Sequence, residues 1–132
     1  MKFLFNICLF FCFINTSQSQ DLVNVSDSLF IDSITKLNLN NKKSILFENK
    51  YNEAIDKFNL GKLNNAILLL DECVKLYSTS ANSYFLLSKC YYNLDLKIEF
   101  LQNIKKALFI DSTNVVYISE IGNYYRSVRE ND

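Results

Sequence analysis

The chain has 132 residues, 49% of them hydrophobic and 21% charged, which is enough apolar material for one modest packed domain and argues against wholesale disorder. Fourteen basic residues balance fourteen acidic ones, and no Lys/Arg run exceeds two, so binding to a phosphate backbone is disfavoured. Histidine is absent, which removes the usual general base and the commonest metal ligand. Two glycines and no proline supply too few tight turns for an all-β sandwich and point to helices.

Met1 and Lys2 precede an apolar run from Phe3 to Ile14 that only Asn6 interrupts. The run is too short for a bilayer span, which takes about 20 residues. A basic start, an apolar middle and the polar stretch from Asn15 to Asp21 describe a secretory signal peptide over residues 1–19. Ser17 and Ser19 suit the small positions before a cut, so the mature chain begins near Gln20, outside the cytoplasm, with no integral membrane span left. Cys8 and Cys12 follow large residues, which argues against a lipid anchor. Cleavage removes Lys2 and leaves thirteen basic residues against fourteen acidic ones, a net charge of −1.

Residues 20–43 form a lead-in to the main domain. Ser26 and Asp27 resemble a helix cap, and Phe30, Ile31, Ile34 and Leu37 follow at helical spacing. A short capping helix over residues 26–37 and a mobile lead-in are both compatible with that pattern.

From residue 44 the sequence repeats with an offset of 34. Phe58-Asn59-Leu60-Gly61 meets Tyr92-Asn93-Leu94-Asp95, and Ala54 meets Ser88. Ile67, Leu70, Cys73 and Val74 meet Leu101, Ile104, Ala107 and Leu108. The phase continues beyond the second unit, where Leu87 meets Ile121, Ser88 meets Gly122 and Tyr91 meets Tyr125. Inside each unit the apolar period is helical. Tyr84, Leu87, Ser88 and Tyr91 recur at i, i+3, i+4 and i+7, and Phe100, Leu101, Ile104, Ala107 and Leu108 mark the next helix. Gly61 and Asp95 punctuate the turns between helices.

The period and these residues resemble the tetratricopeptide repeat over residues 44–128. The family's first helix wants a large aromatic, a leucine, a small residue and a tyrosine, as in Tyr84, Leu87, Ser88 and Tyr91. Its second helix wants a small residue, an apolar one and alanine, matched by Ala66, Leu70 and Cys73, and by Phe100, Ile104 and Ala107. Departures are visible: Phe100 replaces an alanine, Ser78 and Ser112 replace the closing proline, and Lys50, Glu53 and Lys57 weaken the first helix. The resemblance implies an all-α fold, a right-handed α-solenoid of helix-turn-helix repeats with two 34-residue repeats plus a final capping helix. That cap is the helix from about Asn114 to Val128, followed by a tail at residues 129–132.

In the family, positions one residue beyond the core aromatics line a concave groove. Here they are Tyr51 and Phe58 in the first unit and Phe85 and Tyr92 in the second, all aromatic. Two readings are open. These rings pack against one another or against the lead-in, or they floor a peptide-binding groove with Ile55, Asn59, Lys89, Asn93, Asn123 and Arg126 around them. Tyr51 and Ile55 occupy the places where related repeats that clamp a chaperone's C-terminal carboxylate carry Lys and Asn, so that clamp is missing.

Cys73 and Cys90 survive cleavage, an even count in an exported chain. Packing accounts for both as small apolar groups, and a bridge would need Cα atoms within about 7 Å. No metal site, cofactor motif or catalytic constellation is expected from a chain without histidine, a glycine-rich loop or a G-x-S-x-G element. The sequence therefore points to an exported, non-enzymatic module, periplasmic or secreted, that binds a protein or peptide. A portion or truncated relative of a larger sensor or secretion protein, and a cell-wall glycan-binding accessory domain, are the alternatives.

Overall fold

The computed structural model describes residues 28–130 in full and only the course of the backbone helix for 2–27. The leader expected over residues 1–19 therefore lies outside the fully described residues. Five helices make up the described chain and no strand occurs among its residues, so the fold is all-α. They are α1 (Lys2–Asn59), α2 (Leu63–Leu76), α3 (Ala81–Asn93), α4 (Lys97–Ile110) and α5 (Val115–Glu130). The chain divides into two compact units, Met1–Lys42 and Lys43–Asp132.

The described part of the first unit lies wholly within α1. The short helix anticipated over residues 26–37 is not a separate element, because no glycine or proline falls between it and Asn59 to stop the helix. Ser33 and Thr35 return their hydroxyls to the carbonyls of Leu29 and Ile31 at 2.7 and 2.8 Å, which satisfies both without leaving the helix. Leu29, Phe30, Ile31, Ile34, Leu37 and Leu39 are exposed.

In the second unit the turns after α1 and α3 are built alike. Gly61 and Asp95, 34 residues apart, both take left-handed backbone, with φ of 70° and 58°. The amide of Lys62 reaches back to the carbonyl of Lys57 at 2.9 Å, and Leu96 reaches Tyr91 at the same distance. Gly61 bonds Phe58 and Asp95 bonds Tyr92, each at 3.0 Å. This is the Schellman arrangement, which closes a helix by spending two of its orphan carbonyls on the turn. Glycine enters that conformation freely, whereas aspartate is one of the few other residues that tolerate it.

Side chains set two of the helix starts. Ser80 caps α3, its Oγ accepting the Ser83 amide at 3.3 Å. Before α5, Asn114 Oδ1 accepts the Val116 amide at 3.1 Å, while Asp111 holds Thr113 and Asn114. These caps fall in the stretches after α2 and α4 where Ser78 and Ser112 stand.

Packing follows the expected faces. A first core cluster joins Ala54 of α1, Ala66 and Leu70 of α2, and Leu87 and Cys90 of α3. A second joins Phe100, Ile104 and Ala107 of α4 to Tyr117 of α5. Tyr84 and Tyr91 lie against both clusters, so the two tyrosines of the α3 core stripe tie them together. The small positions Ala54 and Ser88 are fully buried, and the Ser88 hydroxyl donates to the Phe85 carbonyl at 2.6 Å. Phe100 is fully buried as well. Its ring sits between Tyr92 of α3 and Tyr124 of α5, with centroids 5.3 and 4.9 Å away.

An ion pair between Lys50 and Glu72 links α1 to α2. The hydrogen bond they share raises the Lys50 ammonium and lowers the Glu72 carboxyl from their ordinary pKa values. Both groups are partly solvated, so the pair adds little to stability.

Candidate functional site

The residues singled out on α1 and α3 occupy matching places. Tyr51, Ile55, Phe58 and Asn59 recur at i, i+4, i+7 and i+8, and Phe85, Lys89, Tyr92 and Asn93 repeat that spacing on α3. Such spacing puts each set on one face of its helix.

The structure grades the four aromatics by burial. Tyr51 and Phe58 are half-buried against the first core cluster. Tyr51 stacks on Phe47 at 5.8 Å, and Phe47 meets the edge of Tyr77 at 5.1 Å, with the Lys43 ammonium 4.7 Å from the Tyr77 ring. Burial pushes the Tyr51 phenol above its ordinary pKa, so it is a neutral donor at physiological pH. Phe85 is half-buried against the second cluster, its ring 4.7 Å from Tyr117. Tyr92 is the most open of the four, 47% exposed, with one side on Phe100.

The polar surroundings divide in the same way. Lys89 donates to Glu120 of α5 at 2.8 Å, so its charge is matched inside the protein. Asn59 and Asn93 are exposed beside the helix ends, and Asn123 is exposed on α5. Arg126 lines a hollow of about 350 Å³ together with Gly122, Tyr125 and Arg129. Ile55 is half-buried.

Three features were not read from the sequence. Tyr117 is 3% exposed and its hydroxyl donates to Asn82 Oδ1 at 2.5 Å, fixing α5 onto α3. No signal marked it, because its equivalents one and two repeats earlier are Ser83 and Asn49. Glu120 as the partner of Lys89 was also unforeseen, being 31 residues away. A second hollow, of about 360 Å³, lies between the turn after α2 and the end of α4. Tyr84, Lys106 and Phe109 line it, with the Lys106 ammonium 5.3 Å from the Tyr84 ring.

Cys73 and Cys90 are free, fully buried thiols, and burial pushes each up to about 11. A thiol so disposed stays protonated and is a poor nucleophile. Among the described residues no group of three His, Cys, Asp or Glu side chains could hold a metal ion, and no helix is long and apolar enough to cross a membrane. Comparison with protein-family models and with curated proteins finds no match to the chain.

Proposed function

We propose that the protein is an exported interaction module of the tetratricopeptide type, in which successive helical pairs form a short right-handed solenoid and hold a segment of a partner protein. The 34-residue offset supports this reading, since residues 61 and 95 close their helices with the same hydrogen bonds and the small positions Ala54 and Ser88 are both buried. The partner lies on the face bearing Tyr51, Phe58, Phe85 and Tyr92. The single observation that carries the assignment is Tyr92. It is a large ring left 47% exposed at a place where the preceding unit also has an aromatic, Phe58, and with an exposed amide, Asn93, beside it. Tyrosine at such a place buries much area on binding at small entropic cost.

The test is capture of envelope proteins by wild type, by Tyr92→Ala, and by Leu68→Ala as a control on an exposed face of α2. The bound species are identified and their affinities then measured with purified components. Tyr92→Ala should weaken the interaction by about 1–3 kcal/mol, the loss of a moderate interface anchor, and Leu68→Ala should not. Equal retention by both variants would exclude this face. N-terminal sequencing of the native protein tests export, with a start near Gln20 expected and an intact Met1 in the cytoplasm contrary to it.

A further inference from the structure

The 34-residue offset makes the first repeat a reference for the second. Lys50, Asp71, Glu72 and Lys75 stand where Tyr84, Lys105, Lys106 and Phe109 stand one repeat later. In the first repeat two lysines balance two acids at these places, and Lys50 and Glu72 form an ion pair between α1 and α2. In the second the acids have become lysines and the lysines have become rings, so the same places carry two positive charges and no negative one. The Lys106 ammonium lies 5.3 Å from the Tyr84 ring, a contact that takes the place of the ion pair without neutralising the charge.

Neighbours along α4 do not supply the missing acids. The residues three and four positions from Lys105 and Lys106 are Leu101, Gln102, Asn103, Leu108, Phe109 and Ile110. Neither lysine forms an ion pair among the described residues. Both precede the last turn of α4, which holds no basic residue, so the helix dipole does not account for them. The two lysines line the hollow of about 360 Å³ with Ser78, Thr79, Tyr84 and Phe109, all within the second compact unit. Phe109 is 91% exposed, the most open large apolar side chain among the described residues. Two ammoniums, two hydroxyls and an open ring around a hollow without a carboxylate are complementary to acid groups that flank an apolar one.

We propose that this hollow binds an acidic segment of a partner protein, with carboxylates on Lys105 and Lys106 and an aromatic or aliphatic side chain against Phe109 and Tyr84. Ser78, Thr79, Lys105, Lys106 and Phe109 are all exposed, so the hollow does not enclose a ligand as a small-molecule pocket does. A segment laid across it gains contacts on either side. Tyr92 is not among the lining residues, so the site does not depend on the partner-binding face that carries it.

Fluorescence anisotropy of the purified chain with a labelled, end-blocked peptide, Gly-Glu-Glu-Phe-Glu-Glu-Gly, tests it. Wild type binds this peptide, more weakly as salt rises, and binds neither its glutamine nor its lysine counterpart. Lys105→Glu weakens binding at least about tenfold and Phe109→Ala at least about fivefold. Both side chains are exposed, so helicity and melting temperature stay unchanged. Lys62→Glu, the same change of charge at the other end of α2, leaves binding unaltered. Lys105→Glu combined with Lys106→Glu restores the acids of the first repeat and transfers binding to the lysine peptide. No binding by wild type, equal losses from Lys62→Glu and Lys105→Glu, or a double variant that does not take the lysine peptide would each overturn the proposal. So would phosphatidylglycerol vesicles that bind through Lys105 while the peptide does not, a result that assigns the hollow to an anionic membrane surface.

Discussion

Replacing Leu87, Phe85 and Tyr92 by alanine, one at a time, separates the core of the second unit from the surface it offers. Leu87 is 2% exposed within the cluster that joins three helices, so truncation leaves a cavity and should cost about 2–5 kcal/mol. Phe85 is half-buried and its ring meets Tyr117 at 4.7 Å. About half of the ~1.5–3 kcal/mol of a fully buried ring, plus ~0.5–1.5 kcal/mol for the aromatic pair, gives a loss of roughly 1–3 kcal/mol. Tyr92 is 47% exposed and keeps one ring contact, so its loss should be about 1 kcal/mol. The assay is thermal and urea unfolding followed by far-UV circular dichroism. In a domain of this size each kcal/mol moves Tm by about 4–8 °C, so the order Leu87, Phe85, Tyr92 is resolvable. A Tyr92→Ala loss equal to that of Leu87→Ala would show that the ring is core, and the binding face would lose its main anchor. Because Phe85 rests on Tyr117, a sizeable loss there is compatible with the binding reading, and Tyr92 is the sharper probe.

The two left-handed turn residues make opposite predictions: Asp95→Gly should stabilise the fold by up to about 1 kcal/mol, and Gly61→Ala should destabilise it by about 1–2 kcal/mol, both read from denaturant midpoints. Tyr117→Phe keeps the ring but leaves Asn82 without its donor, so a loss of about 0.5–1.5 kcal/mol is expected, and no loss would mean that water replaces the bond at no cost. The buried thiols imply a pH effect. Their folded pKa of about 11 lies above the ordinary value of 9.0, so the protonated thiols stabilise the native state at neutral pH. That contribution falls as pH rises from about 9 to about 11, on the order of 1–3 kcal/mol per thiol, and Cys73→Ala with Cys90→Ala should flatten the slope. In the native protein at pH 8 neither cysteine should react with an aromatic disulfide reagent until denaturant is added, and prompt labelling would contradict their burial.

Sequence alone determined what depends on near neighbours. The helical period of Tyr84, Leu87, Ser88 and Tyr91, the stops at Gly61 and Asp95, and the 34-residue phase are consequences of local backbone preference and side-chain spacing, which act over a few residues. The all-α class follows from the same local terms. The extent of α1 was less legible, because a missing breaker is a weaker signal than a present one, and residues 26–37 run on into the helix that ends at Asn59. Only the tertiary structure decided which members of the second aromatic stripe are free. Phe85 is covered by Tyr117 and Lys89 is neutralised by Glu120, partners 32 and 31 residues away whose types carry no periodic mark. Arg126, whose spacing on α5 repeats that of Tyr92 on α3, lines the hollow at Gly122 with Tyr125 and Arg129. Spacing assigns a side chain to one side of its own helix. Its burial is decided by the helix that packs there, and that helix is placed by contacts between residues far apart in the chain.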